Sequence, residues 1–431
     1  MDNSGVVILG AGLAGLAASA FSGAPVYEAT DSAGGIASSD ETNGFVFDRG
    51  IHILQSTNPA VLSLFDELGI RFERHRRNAY IYSHKTYTPY PFQINTAGLP
   101  IHLRTRCLWA FLRRDRETKP RNYEEWMYGN LGKGFADTFL IPYSEKFWTV
   151  HPREMTYEWA GNRVPQPTLA QVIRGALWSK RTAVGSNAEF LYPVGGEGYG
   201  TIGKALKKRS GPLFVGHRAA RLNAGRQELT FSNGVRVRYE TLLNTIPLPD
   251  LIRICEDVPE PVKTAASKLR TNSILVVNLG IGQPNISDKH WVHFPEKEVS
   301  FFRISYPHTF GSGLVPDGTS SVSAEVAYSD ARPIDKTNVV DRVVDDLRRV
   351  GAIGKTHQVI HKSVYDIQRA YCIYDMNRKD ALRTIMAWLR EVGIVSCGRY
   401  GLWTYFWSDE ALLSGKKAAE SILQRRAVPG D

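Results

Sequence analysis

The chain has 431 residues, more than one small domain needs, and this length predicts either two or three units or one large composite fold. Hydrophobic residues make up 43% and charged residues 22%, a globular composition that excludes a disordered or fibrous chain. The formal net charge of +10 is compatible with three kinds of anionic partner: nucleic acid, a membrane surface or a small substrate.

A βαβ unit is predicted at the N-terminus. Residues 6–9 are a short apolar run typical of a parallel strand buried on both faces, and GAGLAG follows at residues 10–15. Residues 16–20 predict a helix of small residues, and residues 25–28 predict the next strand. The uncharged stretch 6–26 is long enough for a membrane span, but its glycine turn and the lack of a cationic leader favour a buried strand, turn and helix.

The remaining elements follow in chain order. A mainly helical stretch is predicted over 59–186, and an Asn-Gly turn indicates a hairpin over 228–238. The apolar patterns predict strands over 242–246, 273–280, 299–305, 320–328 and 394–397, and helices over 339–350 and 410–426. No later stretch predicts a membrane span, and four dispersed cysteines argue against a disulfide framework or a zinc site. We therefore expect a cytoplasmic protein with no integral membrane segment and no metal.

These elements predict an α/β fold class, a Rossmann-type FAD-binding fold of the glutathione-reductase kind with an inserted helical domain and a mixed β-sheet substrate domain. The expected FAD-binding domain is discontinuous and covers 1–58, 187–248 and 392–431. The helical insertion covers 59–186, and the mixed-sheet substrate domain covers 249–391. One interleaved fold closed by both chain ends then accounts for the length better than a string of independent domains.

The turn at 10–15 has the Gly-x-Gly-x-x-Gly spacing of a dinucleotide site. Gly10 makes the tight turn, Gly12 lets the backbone approach a pyrophosphate, and Gly15 lets the helix pack closely on the strand. The helix N-terminus presents free N–H groups and a partial positive charge to the phosphates. Glu28 lies 18 residues after Gly10, near the ~20 expected for a carboxylate that binds a ribose hydroxyl. Strand, turn, helix and acid together predict a bound dinucleotide.

The glycines that follow favour FAD over NAD as that dinucleotide. Gly34 and Gly35 come just after the acid and resemble the extended fingerprint of glutathione-reductase-like FAD proteins. Residues 397–401 follow the last predicted strand and are expected to supply a second contact. The complete set of predicted cofactor-binding residues is Gly10, Ala11, Gly12, Leu13, Ala14, Gly15, Glu28, Ala29, Gly34, Gly35, Ile36, Gly50, Ile51, Gly398, Arg399 and Asp409.

Motifs along the whole chain resemble those of the UDP-galactopyranose mutases. DRGIHILQST at 48–57 resembles the loop whose histidine lies beside the flavin, and YPFQINT at 90–96 resembles their proline–aromatic segment. FLIPYSEKFW at 139–148 resembles their F-I-x-x-Y-T-x-K-x-W helix. The later matches are NRVPQ at 162–166 to R-x-P-x-R, YPVGG at 192–196 to Y-P-x-G-G, and GRYGLWTY at 398–405 to G-R-x-G-x-x-x-Y. Protoporphyrinogen oxidases and amine oxidases share the architecture but fit the middle segments less well.

The resemblance implies an unusual chemistry. In the mutases, N5 of reduced FAD attacks the anomeric carbon of a nucleotide sugar and expels the nucleoside diphosphate. The sugar ring opens through an iminium and recloses as a furanose, with no net redox change. The protein has to hold N5 in line with the anomeric carbon and bind the leaving diphosphate, for which arginine is suited. The resemblance thus implies FAD that is active when reduced, NADH or NADPH as a candidate reductant, and a nucleotide-sugar substrate.

The resemblance also implies roles for individual residues. Arg163 matches the arginine that contacts the diphosphate, Tyr405 the tyrosine near the same phosphates, and His52 the flavin-side histidine. Arg303, in FFRIS, matches a second diphosphate arginine through a looser alignment. The expected substrate-binding residues are Trp148, Tyr143, Gln93, Tyr371 and Tyr374. Two departures leave the sugar and the nucleotide open: Gln166 replaces the second arginine of R-x-P-x-R, and Gln93 with Ile94 is unusual in the proline–aromatic segment.

Two other functions are weighed against the mutase. An FAD-dependent oxidase or desaturase of the amine oxidase or protoporphyrinogen oxidase type is the main alternative, with Trp403, Tyr405 and Trp407 as a candidate aromatic cage for an amine. A nucleic-acid binder is disfavoured because no such motif accompanies the basic clusters, which lie beside acids such as Asp115 and Glu117. We expect no nucleic-acid partner, and a homodimer is the candidate assembly.

Overall fold

The computed structural model describes residues 2–161, 163–178 and 188–427. Asn162, which opens the R-x-P-x-R match, and the predicted domain boundary between residues 186 and 187 lie outside this range. The strands are β1 (Asp2–Leu9), β2 (Val26–Tyr27), β3 (Ser39–Thr42), β4 (Phe45–Asp48), β5 (Phe72–Arg76), β6 (Ala79–Ser83), β7 (Thr86–Pro89), β8 (Glu189–Pro193), β9 (Leu213–Phe214), β10 (Ala219–Asn223), β11 (Glu228–Phe231), β12 (Arg236–Asn244), β13 (Thr271–Ile281), β14 (Trp291–His293), β15 (Arg303–Ser305), β16 (Ser320–Tyr328), β17 (Val359–Cys372) and β18 (Ile394–Ser396).

The helices pack around the sheets that these strands form. They are α1 (Leu13–Ser22), α2 (Pro59–Glu67), α3 (Ile101–Leu112), α4 (Tyr123–Phe135), α5 (Ile141–Trp148), α6 (Leu169–Leu177), α7 (Thr201–Arg209), α8 (Leu248–Ile254), α9 (Glu260–Ser267), α10 (Val339–Arg349), α11 (Arg378–Glu391), α12 (Gly398–Gly401) and α13 (Ser408–Ala427). A π-helical segment, Ala136–Leu140, joins α4 to α5. In the described part of the chain, no helix combines the length and apolarity needed to cross a bilayer.

The first sheet has the order β10-β11-β12-β1-β2-β9, with β18 beside the end of β12. β1 pairs in parallel with β12 and β2, and Leu9 lies opposite both Asn244 and Tyr27. β18 joins the same edge, where Ser396 lies opposite Asn244. Because the carboxyl ends of parallel strands open onto one crevice, this register brings the glycine turn beside residues 245–247 and 397–399.

The second sheet has the order β17-β13-β16-β15-β14-β6-β7. It is mixed, because β14 pairs in parallel with β6 while its other pairs are antiparallel. The register places His293 on β14 opposite Arg303 on β15, and Arg303 opposite Glu325 on β16. Directly opposed residues share one face of a sheet, so these three ionisable side chains form a row toward the helical layer.

Helix α5 connects the helical layer to the second sheet. Lys146 is buried, and its Nζ donates hydrogen bonds to the carbonyls of Phe294, Glu296 and Phe301 at 2.9, 2.7 and 2.7 Å. Burial lowers the pKa of Lys146 to about 7. These bonds fix the rotation of α5, so that Tyr143 and Trp148 face the space between the two sheets.

The predicted fold class is confirmed, with local differences in the elements. The second arm of the 228–238 hairpin and the strand predicted at 242–246 form one continuous strand, β12. The strand predicted over 299–305 is shorter than expected and forms only β15. Residues 72–89, predicted within the helical stretch, form β5 to β7. The two residues with positive φ in the β6–β7 turn are His84 and Lys85 instead of the usual glycine or asparagine, so this hairpin has no recognisable turn sequence. β17 was not predicted because its exposed charged residues interrupt the apolar pattern. The division into domains stays a prediction.

Candidate active site

The turn after β1 has backbone geometry that requires glycine at two positions. Gly10 has φ +92°, and a Cβ there would lie 2.5 Å from Thr245 Oγ1. A Cβ at Gly15 would lie 1.9 Å from the Gly10 carbonyl oxygen, so α1 could not pack as it does on the turn. A Cβ at Gly12, by contrast, would meet nothing within 4 Å. Gly12 is also the N-cap of α1 and makes no side-chain cap, so the free N–H groups of the helix face open space.

Glu28 and the second glycine pair close around this turn. Glu28 Oε2 accepts a hydrogen bond from the Ala11 N–H at 2.8 Å, and Oε1 accepts from the N–H of Thr30 at 2.9 Å. The Gly34 N–H donates to the Ala11 carbonyl at 2.8 Å. Gly35 has φ +59°, and a Cβ there would lie 3.1 Å from the Gly12 Cα. The predicted dinucleotide residues therefore form one backbone cradle with a carboxylate at its edge.

The loop after β4 carries the predicted flavin-side histidine. His52 Nδ1 lies 3.1 Å from the Gly50 carbonyl, which can only accept, so Nδ1 carries the ring proton. Burial, together with the positive charges of Arg399 and Arg303, lowers the pKa of His52 to about 4. His52 is therefore a neutral imidazole at pH 7, and its Nε2, which has no hydrogen-bond partner among the residues that the structure describes, can accept a hydrogen bond.

Glu325 links this loop to the row on the second sheet. It is buried, and Arg303 binds both of its carboxylate oxygens, with Nη2 at 2.9 Å from Oε1 and Nε against Oε2. Oε1 also accepts the Ile51 N–H at 3.1 Å. The carboxylate raises the pKa of Arg303 well above its usual range. One buried ion pair thus fixes both the predicted second arginine and the loop that holds His52.

Arg163 lies between two aromatic rings. Its guanidinium is 4.6 Å from the ring centre of Tyr405 and 4.8 Å from that of Trp407, and Nη2 donates to the Tyr405 carbonyl at 2.7 Å. Glu410 approaches the same nitrogen at 3.4 Å. The Nε of Arg163 is buried without a hydrogen-bond partner among the described residues. The predicted amine cage is wrong, because Arg163 occupies the space between Tyr405 and Trp407, and Trp403 is fully buried elsewhere in the core.

Arg399 also lies beside Tyr405. Its guanidinium is 5.3 Å from the ring centre of Tyr405 and 4.6 Å from that of Tyr371, and Nη2 donates to the Ala370 carbonyl at 2.8 Å. Its Nε is also buried and lacks a partner in the described part of the chain. Two guanidiniums so close to one tyrosine ring form a cationic patch that suits an anionic ligand.

Helix α5 and the turn at residues 92–94 complete this side of the site, which we call the aromatic wall because Trp148, Tyr371 and Tyr405 form it. Trp148 lies edge-on to Tyr405 and Tyr371, at centroid distances of 5.7 and 5.8 Å. Gln93 is buried, and its Nε2 donates to the Pro165 carbonyl at 3.3 Å, which ties this turn to the loop that carries Arg163. Gln166, which replaces the second arginine of the motif, is exposed.

One cavity of about 520 Å³ joins the glycine cradle to the aromatic wall. The predicted residues that line it are Gly10, Gly12, Leu13, Ala14, Glu28, Gly34, Gly35, Ile36, Gly50, Ile51, His52, Gln93, Tyr143, Trp148, Arg163, Arg303, Tyr371, Arg399 and Tyr405. The predicted residues outside its lining are Ala11, Gly15, Ala29, Tyr374, Gly398 and Asp409. Tyr374 lies behind the aromatic wall, where its hydroxyl accepts a hydrogen bond from the Tyr405 N–H at 2.9 Å. Gly398, with φ +76°, packs against Ala14 instead.

Several lining residues were missed from the sequence. Glu325, Trp291 and His293 lie in the second sheet, Arg49 lies in the flavin-side loop, and Arg77 lies over the ring of Tyr90. The signal that could have found Glu325 is its charge within the otherwise uncharged strand 320–328. Arg49 donates to both oxygens of Asp40 at 3.0 and 2.8 Å and stacks 4.4 Å from Tyr365. Across the described residues, no group of three His, Cys, Asp or Glu side chains is arranged to hold a metal ion.

Comparison with known proteins agrees with this arrangement. Residues 24–423 match the model of a family described as flavin containing amine oxidoreductase. The crystal structure of reduced UDP-galactopyranose mutase superimposes with a TM-score of 0.93 at 27% identity, covering 99% of this chain and 95% of that one. A protein from Exiguobacterium sp. 255-15 assigned as a protoporphyrinogen oxidase gives 0.74 at 16% identity, with 99% and 100% covered. Putrescine oxidase bound to putrescine gives 0.66 at 16%, with 98% and 100% covered. The last two likenesses show the fold alone.

Proposed function

Because the chain belongs to the flavin-containing amine oxidoreductase family, and is thus a flavin enzyme, we propose that it is an FAD-dependent mutase. Its proposed reaction interconverts the pyranose and furanose forms of a nucleoside-diphosphate sugar. The observation that carries this proposal is that Arg163 and Arg399, whose guanidiniums both lie beside the Tyr405 ring, line the cavity that reaches the glycine cradle. The likeness to reduced UDP-galactopyranose mutase supports it.

The residues present fit FAD as the flavin. A Cβ at Gly12 would project into open space, where a pyrophosphate would approach the N-terminus of α1, and Glu28 lies at the edge expected for a ribose. Ile51, His52 and Arg399 line the part of the cavity beyond the cradle. When bound and reduced, FAD supplies the nucleophile for opening and closing the sugar ring. NADH or NADPH is the proposed reductant.

The protein's own contribution to the reaction is binding and orientation. Arg163 and Arg399 hold the diphosphate through charge-assisted hydrogen bonds, which keeps the leaving group in place for ring closure. Trp148 and Tyr371 form an aromatic wall that excludes water beside it. His52, neutral and with Nε2 free, is positioned to accept a proton or a hydrogen bond near the flavin.

The test is an isomerisation assay with a panel of nucleoside-diphosphate sugars under anaerobic conditions. Chemically reduced protein should convert at least one sugar to its ring isomer, while oxidised protein should not, and no oxidant should be consumed. A result against the proposal is a panel without any conversion, combined with bleaching of oxidised flavin by an amine or a porphyrinogen. That second result would indicate an oxidase or desaturase, which the position of Arg163 between Tyr405 and Trp407 disfavours.

A further inference from the structure

Three side chains form a hydrogen-bonded chain on the cavity wall, and the proposed reaction does not yet use it. Trp291 and His293 lie two residues apart on β14 and therefore share one face of the strand. The Trp291 indole Nε1–H donates to His293 Nε2 at 3.2 Å, and His293 Nδ1 lies 2.8 Å from the Tyr143 hydroxyl oxygen. All three residues line the cavity.

The indole determines where the proton of His293 lies. An indole nitrogen can only donate, so His293 Nε2 must accept and cannot carry a hydrogen. Burial lowers the pKa of His293 well below its usual range, and the positive charges of Arg303 and Arg77 lower it further. The ring is therefore neutral, its proton is on Nδ1, and Nδ1 donates to the Tyr143 oxygen.

The hydroxyl of Tyr143 is consequently left with one hydrogen to donate. Burial raises the pKa of Tyr143 well above its usual range, so the hydroxyl keeps this hydrogen. Its ring is held by Phe139 and Phe147, with centroid distances of 5.4 and 6.1 Å. Among the described residues, His293 is the hydrogen-bond partner of this hydroxyl, and His293 is already the donor. The remaining direction for the hydrogen is the cavity.

We propose that Trp291 and His293 are positioning residues that commit the Tyr143 hydroxyl to donating a hydrogen bond to the substrate. The site then selects a nucleotide sugar that presents an acceptor oxygen at this point and rejects one that presents a donor. This inference rests on the proposed function for the identity of the ligand, but the proton positions follow from the protein alone. A reversed tautomer would instead let Tyr143 donate to His293 and offer only its lone pair to the ligand.

The first test measures the tautomer without any substrate. The full-length flavoprotein is labelled with ¹⁵N-histidine, and the resonances of His293 are assigned by their loss in His293→Asn. We expect a protonated Nδ1 and an unprotonated Nε2 at pH 7. A proton on Nε2, in either the neutral or the charged ring, overturns the inference whatever reaction the enzyme catalyses.

The second test is a double-mutant cycle on the binding of UDP to the reduced enzyme. Tyr143→Phe removes the hydroxyl that donates to the ligand, and Trp291→Phe removes the indole that fixes the tautomer of His293. Each variant should therefore bind UDP about tenfold more weakly than wild type. The double variant should bind no more weakly than Tyr143→Phe alone, whereas multiplied effects would overturn the inference. His293→Asn, whose amide N–H can replace Nδ1–H, should bind within about twofold of wild type, and so should His293→Leu, which offers the Tyr143 hydroxyl no competing acceptor. If wild type binds no UDP, uridine-diphosphate sugars are excluded as substrates, and the tautomer alone then decides the orientation of the hydroxyl.

Discussion

The glycine cradle and the aromatic wall share one cavity but are built in opposite ways. The cradle comes from residues 10–35, and its shape depends on close approaches that leave no room for a Cβ at Gly10, Gly15 and Gly35. The wall combines side chains as distant in sequence as Trp148 and Tyr405, held by edge-on ring contacts and single hydrogen bonds. The cradle therefore depends on the backbone fold itself, while the wall can change one side chain at a time. This difference explains how one cofactor site can serve many substrates.

The largest effect is expected from the cradle. Gly15→Ala places a Cβ 1.9 Å from the Gly10 carbonyl, so we expect the free energy of unfolding to fall by about 4 kcal/mol and flavin to be lost. Gly12→Ala is the matched control, because a Cβ there meets nothing within 4 Å. It should keep the stability of the apoprotein and lose only flavin affinity. Urea unfolding and flavin absorbance measure both, and equal stability losses in the two variants would contradict this division.

The next effect concerns the ion pair that joins the wall to the flavin-side loop. Glu325→Gln leaves the buried charge of Arg303 without its partner, and breaking a buried pair in this way costs about 3 kcal/mol of unfolding free energy. Glu197→Gln is the control, because its pair with Lys204 is exposed and should change stability by less than about 0.5 kcal/mol. Denaturant titration of both variants gives the comparison. A loss at Glu325 as small as that at Glu197 would show that the pair does not hold the loop.

Single side chains of the wall should change ligand binding without changing the fold. Arg163→Ala removes one charge-assisted contact to the diphosphate, so we expect the Kd for UDP to rise by about 30-fold with flavin content unchanged. The control is Arg113→Ala, an exposed arginine that stacks 4.3 Å from Trp109. It should leave the Kd unchanged. Calorimetric titration measures both, and an equal Kd for wild type and Arg163→Ala would remove Arg163 from the diphosphate site.

The smallest expected effect is a pH dependence at the junction of the two regions. The pKa of His52 is about 4 in the folded protein, below its ordinary value of 6.5, so the unfolded chain binds more protons between these two pH values. His52 therefore favours unfolding as the pH falls from 6.5 toward 4. The stability of wild type relative to His52→Asn should rise by roughly 2 kcal/mol from pH 5 to pH 7. Unfolding curves across this range measure it, and a constant difference would place the ring in a solvated environment.

The two regions also differ in how far the sequence predicts them. The spacing of Gly10, Gly12 and Gly15 identifies the cradle because Gly10 and Gly15 meet local steric constraints and Gly12 leaves space open for a ligand. The resemblance to the mutases located Arg163 and Tyr405, but not that Arg163 stacks between Tyr405 and Trp407. That arrangement depends on where two distant loops meet. Glu325 and His293 escaped prediction because strand register, which brings them beside Arg303, is a long-range property.

The most direct test of the proposed mutase is the mass of the flavin after reaction. Chemically reduced protein is mixed anaerobically with each nucleoside-diphosphate sugar, quenched with borohydride, and its flavin is separated for mass spectrometry. We expect the flavin from at least one mixture to carry the additional mass of one sugar, with release of the nucleoside diphosphate. Unmodified flavin from every mixture, alongside flavin that amines or porphyrinogens reduce in the oxidised protein, would contradict the mutase and indicate an oxidase.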